Sequence, residues 1–214
     1  MSTGGDVGTL YAAALAAEPH ARRRFRVRIQ DGGTHRMALD RWLNDTDAAD
    51  DDLLRRAQGP VLDVGCGPGR HVLALQARRV PALGIDIAAA AVALARRRGA
   101  PAIRRSVFDD LMSGWGSVLL LDGNVGIGGD PVALLQRAAE LLRRDGRVLV
   151  ELDAPGVPSR SVEIRLELGR ATSDWFAWAQ LSVTDVAEAA AAAGLSLVES
   201  WDVDGRRWFA WLAA

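Results

Sequence analysis

The chain of 214 residues is 49% hydrophobic and 25% charged, with 26 basic against 27 acidic side chains and a formal net charge of −1. That composition gives one domain enough apolar material for a substantial core and excludes wholesale disorder, while the balanced charge excludes a global field that would draw it to nucleic acid or anionic membrane. No apolar run is long enough to cross a bilayer and the first residues lack a secretory-leader pattern, so with its single cysteine, Cys66, the sequence reads as cytoplasmic.

In chain order, residues 7–17 form a predicted helix that Pro19 ends. Residues 24–30 alternate, with Phe25, Val27 and Ile29 on one face and arginines on the other. Asp31-Gly32-Gly33 turns the chain back through 34–39, making a small hairpin. A helix is expected over 48–58. Asp50-Asp51-Asp52 lies at its start, where acids suit the positive pole of the helix dipole, and reads as a solvated end rather than a chelating group.

From residue 60, strand-like runs (60–64, 81–85, 102–104, 117–121, 147–152) alternate with helical patterns (72–79, 88–98, 130–144). The last helix opens with Asp130 as N-cap and Pro131 at the first turn. Arginine groups such as Arg96-Arg97-Arg98 and Arg143-Arg144 fall near predicted helix ends, where cations offset the negative pole. The tail adds a helix over 186–193 and two strands, 195–201 and 207–212, around the hairpin signal Asp204-Gly205. The prediction is a doubly wound α/β fold: a seven-stranded, mostly parallel sheet with a C-terminal antiparallel hairpin. A small N-terminal helical and hairpin cap takes residues 1–57. The sheet domain takes 58–214, with an insertion at 154–181.

In such a sheet, ligands bind beyond the C-terminal ends of the strands. The first strand of the sheet delivers Asp63-Val64-Gly65-Cys66-Gly67-Pro68-Gly69 to that edge. Glycines allow close backbone approach, and the next helix offers unpaired N–H groups. Arg70 stands where a dinucleotide GxGxxG needs its third glycine, and no GK[ST] follows, which excludes a phosphate-cradling P-loop. The next strand ends at Asp86, an acid placed to accept both ribose hydroxyls of an adenosine ligand. A tight strand-to-helix turn would explain the glycines alone, but not Asp86 in register.

VLDVGCGPGRH, GIDIA and LLLDGNVGIGGDP resemble the successive motifs of class I S-adenosylmethionine-dependent methyltransferases, over roughly residues 58–153. The resemblance implies S-adenosylmethionine as cofactor. Gly65, Cys66, Gly67 and Gly69 would lie against its methionine part and Asp63 would help hold the amino group through the loop. Asp86 would take the ribose, with Ile87 packed on adenine. After the third strand many members carry an acid facing the adenine amino group. Ser106 occupies that slot here unless Asp109 substitutes, leaving a backbone N–H at Val107 or Phe108 for adenine.

Methyl transfer from a sulfonium is accelerated largely by alignment, and a base is needed only for an acceptor that must lose its proton early. Asp122 and Asn124 end the fourth strand beside the expected methyl position. They would orient the acceptor or bind the cofactor's amino group, unless Asp122-Gly123-Asn124 is ordinary turn chemistry. His71 would contact the methionine carboxylate or act as base, or simply face solvent at its helix start. In the insertion, Trp175 and Trp178 would enclose an apolar acceptor or else cover a sheet edge as core. No cluster reads as a metal site; Asp122 with Asp153 only weakly mimics one. The arginine face over 22–28 would meet an anionic acceptor or serve as a solubilising edge; nucleic acid is the rival reading, against which stand the near-neutral charge and the lack of interleaved aromatics beyond Phe25. Two functions are compatible with these residues: methyl transfer to a small molecule at oxygen or nitrogen, and an adenosyl-ligand-binding regulatory or partner protein without transfer.

Overall fold

The structure, a computed structural model, describes residues 5–214. The chain opens with helices α1 (Val7–Ala16) and α2 (Pro19–Arg22), hairpin strands β1 (Phe25–Ile29) and β2 (Thr34–Arg36), and helices α3 (Leu39–Leu43) and α4 (Ala48–Arg55). The β-α alternation follows: β3 (Val61–Val64), α5 (Arg70–Ala77), β4 (Ala82–Asp86), α6 (Ala89–Arg97), β5 (Ala102–Arg104) and β6 (Trp115–Leu120). A 3-10 segment (Asn124–Gly129) leads to α7 (Pro131–Leu141) and β7 (Leu142–Leu152). Next come β8 (Arg160–Leu168), β9 (Ala171–Thr172), β10 (Phe176–Gln180), α8 (Val186–Ala192), β11 (Ser196–Val203) and β12 (Arg207–Ala213).

The large sheet has the order β11-β12-β7-β6-β3-β4-β5. The pairs β5-β4-β3-β6-β7 are parallel, whereas β12 slots between β7 and β11 and runs antiparallel to both. The expected mostly parallel, doubly wound sheet closed by an antiparallel hairpin is therefore the observed one. Its middle strands bury both faces, as helices on both sides require. In β6, Val118 and Leu120 pack towards Leu134 and Leu135 of α7, while Leu119 packs with Leu53 of α4 and Leu75 of α5.

Two local readings change. Pro19 ends the first helical run yet occupies the first turn of α2, where its missing N–H costs nothing. The helix expected over 130–144 stops at Leu141, so Arg143 and Arg144 lie in β7 instead of capping a helix. Strand pairing overrides helix propensity there: Leu142 pairs with Trp115, and the Arg143 guanidinium donates to Gly59 O at 3.2 Å.

The N-terminal hairpin and the late insertion build one structure. Strands β10-β8-β1-β2, with β9 beside β8, form a second, antiparallel sheet. Its register sets Val27 opposite Leu166, Ile29 opposite Ile164, and Trp178 opposite Val162, so these apolar side chains share one face. Helix α1 lies on that assembly, with Leu10, Ala14 and Leu15 packed among Phe25, Leu39, Ala91 and Leu166.

Candidate active site

A cavity of about 1050 Å³ opens between the C-terminal edge of the large sheet and the inward face of the small one. Its floor is the glycine loop. The N–H groups of Gly65 and Cys66 both donate to Ile85 O, at 2.9 and 3.0 Å, pinning the loop to β4. Gly65 has φ +69°, and a Cβ there would come within 2.6 Å of Asn124 Nδ2. That close approach has a purpose: Asn124 Nδ2 donates to Val64 O (2.8 Å) and Gly65 O (3.0 Å), bracing the loop from the end of β6.

Asp86 ends β4 with both carboxylate oxygens engaged. Oδ2 accepts from Gly67 N–H at 2.9 Å and Oδ1 from Ala88 N–H at 2.8 Å. Each oxygen keeps further acceptor capacity, and the residue lines the cavity. Burial raises this carboxyl above its ordinary pKa, opposed by the two backbone N–H groups. The next residue, Ile87, lines the cavity with 68% of its surface exposed. Cys66 lies behind the loop against Gly84, and burial pushes its thiol well up, which leaves it inert as a nucleophile.

On the other side of the loop lies a buried ionic cluster. Asp122, at φ +57°, donates its N–H to Glu151 Oε2 (2.8 Å). Its carboxylate accepts from Arg70 at 2.9 and 3.0 Å and from Arg41 at 2.8 Å. Burial alone would raise the Asp122 carboxyl, but Arg70, then His71 and Arg41, outweigh it and hold the group below its ordinary value. Arg207 donates to Asp50 at 2.8 Å and to both Glu151 oxygens at 2.8 and 2.9 Å, and Arg70 also contacts Asp50. The solvated reading of the acidic run at 50–52 is thus corrected at its first member. Asp50 is fully buried because α4 turns that position towards the sheet, while Asp51 and Asp52 face Arg78, Arg55 and Arg56 outside.

His71 is likewise buried rather than solvent-facing. Its Nδ1 lies 3.6 Å from Asp63 Oδ2 and its Nε2 3.6 Å from Asp50 Oδ1, too long for hydrogen bonds. Among the described residues, Asp63 Oδ2 and His71 Nε2 have no hydrogen-bond partner. Two arginines on Asp122 leave its carboxylate no role in a metal pair with Asp153.

Of the residues singled out in the sequence, Gly65, Cys66, Gly67, His71, Asp86, Ile87, Ser106, Val107, Asp122, Asn124 and Trp178 converge on the cavity. Five lie outside its lining. Asp63 is buried behind the loop, and Gly69 packs α5 tightly against Ala95 and Ala100. Phe108 lies against Gly128, and Trp175 sits under the Arg165 guanidinium at 4.9 Å. Asp109 turns away to accept from Ser106 N–H at 2.9 Å. Asp153 lines it too, and the structure adds Tyr11, Phe176 and Gln180. Tyr11 is held over Gly67 by α1, and burial followed by the Asp86 charge raises its phenol well above its ordinary value. A usable signal existed for Phe176: in a strand it shares a face with Trp178, whereas Trp175 does not.

A family model described as a methyltransferase domain matches residues 61–119. No curated protein sequence matches the chain. Among solved structures, a SAM-dependent methyltransferase from Bacteroides fragilis, in complex with S-adenosyl-L-homocysteine, is 23% identical with a TM-score of 0.79, covering 99% of this chain and 96% of its own. The CcbJ methyltransferase from Streptomyces caelestis is 16% identical with a TM-score of 0.62, covering 81% and 92%. The Burkholderia thailandensis 1,6-didemethyltoxoflavin-N1-methyltransferase, with its didemethyltoxoflavin and S-adenosylhomocysteine bound, is 19% identical with a TM-score of 0.58, covering 100% and 92%. At these identities the likeness establishes the fold.

Proposed function

We propose that this chain, which carries a methyltransferase domain of the class I S-adenosylmethionine-dependent fold, methylates a small molecule held between its two sheets. The observation that carries the reading is Asp86. Its carboxylate is oriented by two backbone N–H groups at the cavity floor and left free to accept the two ribose hydroxyls. The exposed Ile87 offers an apolar face for adenine. In the turn after β5, Ser106 Oγ accepts from Phe108 N–H (3.2 Å), so Val107 N–H is the donor we assign to adenine. Gly65 and Gly67 leave room along the backbone for the methionine end.

When bound, S-adenosylmethionine supplies an activated methyl group, and the chain's task is to align an acceptor with it and exclude water. Asp122, locked between arginines and held in its charged form, is a poor proton acceptor; we assign it to anchoring the loop's flank rather than to base catalysis. His71 we place as a wall of the methionine end. The cavity is at the upper limit of single-ligand pockets, which favours donor and acceptor together over an adenosyl-binding protein that transfers nothing. The Burkholderia structure, which holds a small-molecule acceptor beside S-adenosylhomocysteine, supports the same acceptor class.

Calorimetry tests the reading. S-adenosylmethionine binds the wild type, and Asp86→Ala weakens binding by about a hundredfold through loss of two charge-assisted hydrogen bonds. Absence of binding to the wild type at millimolar cofactor would overturn the proposal. Transfer of labelled methyl to any member of a metabolite panel then separates enzyme from binding protein.

A further inference from the structure

The acceptor end of the cavity has a chemistry distinct from its floor. One wall is the inward face of the small sheet, with Ile164, Leu166, Phe176 and Trp178. The two aromatic rings meet edge to face at 6.2 Å. The same cavity is lined by Asp153, which follows β7 at the same sheet edge as Asp122 and is bonded to Leu181, just beyond the end of β10.

Asp153 is fixed by its own neighbours. Its N–H donates to Leu181 O at 2.9 Å, and its Oδ2 accepts from Leu181 N–H at 3.2 Å. No protein donor among the described residues engages Oδ1. The contrast with Asp122 is direct, since the charges acting on Asp153 are His35 and Glu151, with no arginine among them. Burial accordingly lifts its carboxyl, the Leu181 N–H and then the His35 charge oppose that shift, and Glu151 adds to it. A half-buried carboxylate in a cavity, with one oxygen free and no arginine on it, is costly unless a ligand supplies the missing charge.

We propose that the methyl acceptor is an amine with an apolar or aromatic body, bound as its ammonium by Asp153, with that body against Phe176 and Trp178. The proposal rests on the methyltransferase reading and gives it a substrate class. Aromatic faces beside a carboxylate suit a cation doubly, through charge pairing and through the ring quadrupoles. A neutral hydroxyl acceptor would leave Asp153 uncompensated, and an anionic one would be repelled. The carboxylate that holds the ammonium is also positioned to take the proton the nitrogen must lose before it becomes a nucleophile.

The test uses size-matched fragments, benzylamine and benzyl alcohol, titrated into the full chain saturated with S-adenosylhomocysteine and followed by NMR shift changes. Benzylamine should bind about tenfold more tightly than benzyl alcohol, as one charge-assisted hydrogen bond predicts. Asp153→Asn should abolish that advantage while its S-adenosylhomocysteine affinity, which reports an intact fold, stays at the wild-type value. Trp178→Ala should weaken both fragments and keep the preference for the amine. Equal binding of the two fragments, no binding of benzylamine to the saturated protein, or a preference that survives in Asp153→Asn each overturns the amine assignment. Failure of S-adenosylhomocysteine to bind the wild type would instead defeat the methyltransferase reading beneath it.

Discussion

Two arginine populations divide this molecule. The run at Arg22-Arg23-Arg24, with Arg26 and Arg28, is conspicuous in the sequence and lies on the outer part of the cap, where Arg23, Arg24 and Arg26 are exposed. Arg41, Arg70 and Arg207 are scattered singly along the chain and meet beneath the glycine loop, in contact with Asp50, Asp122 and Glu151. Density of charge along a chain therefore says little about where charge is structurally decisive. Burial decides: a guanidinium in water loses little when a partner leaves, whereas a buried one is left with an uncompensated charge. The sharpest way to break the comparison is Asp50→Ala, which strips a fully buried carboxylate from Arg70 and Arg207. Urea unfolding should show a loss of about 3–5 kcal/mol. A loss below about 1 kcal/mol would place the cluster with ordinary surface pairs.

The same contrast explains what the sequence could and could not reveal. The glycine loop and Asp86 were legible because strand, glycines and helix start are contiguous, and their chemistry depends on backbone conformation that local residue types dictate. The start of α7 was legible for the same reason, through Asp130 and Pro131. Asp50 was not, since three adjacent acids on a helix look alike until the tertiary fold turns one of them inward. In β8 the apolar Val162, Ile164 and Leu166 alternate with Glu163, Arg165 and Glu167, as a half-buried strand requires, but its partner β1 lies more than 130 residues earlier, and no local pattern encodes that pairing. Trp175 and Trp178 were read as a pair, although the period of a strand puts residues three apart on opposite faces. Phe176 is the residue that joins Trp178 at the cavity.

Acid titration sharpens the division within the site itself. Asp122 is held below its ordinary pKa by Arg70, His71 and Arg41 against the pull of burial, so its contribution to stability is complete above the unfolded value of about 4 and is lost as the pH falls through the lower folded value. Asp122→Asn should therefore cost about 2 kcal/mol in urea unfolding at pH 7 and progressively less below pH 4. Asp86 runs the other way: burial raises its folded pKa, so its ionised form is a penalty that disappears as the pH falls through that raised value. Asp86→Asn removes the penalty but also one backbone hydrogen bond, so its stability at pH 7 should stay within about 1 kcal/mol of wild type. If both variants shift stability in parallel across pH, the two carboxylates do not differ in kind.

The smallest effect belongs to the conspicuous arginines. Arg28 reaches across from β1 to Glu167 on β8, with Nε 2.6 Å from Oε1, while Asp31 in the hairpin turn pairs with Arg160 of the same strand. The Glu167 carboxyl is held down by Arg28, with Arg165 on the same carboxylate. Because the Arg28 side chain is 39% exposed, water replaces much of its pairing, and Arg165 remains to neutralise Glu167. The sheet is held instead by its inward face, where Phe25 is fully buried beside Leu166. Arg28→Ala should thus leave the urea midpoint and S-adenosylmethionine affinity at wild-type values at moderate ionic strength, while Phe25→Ala destabilises the protein by about 3–5 kcal/mol. An Arg28→Ala loss as large as that of Phe25→Ala would mean that the arginine face, not the apolar one, joins the hairpin to the insertion.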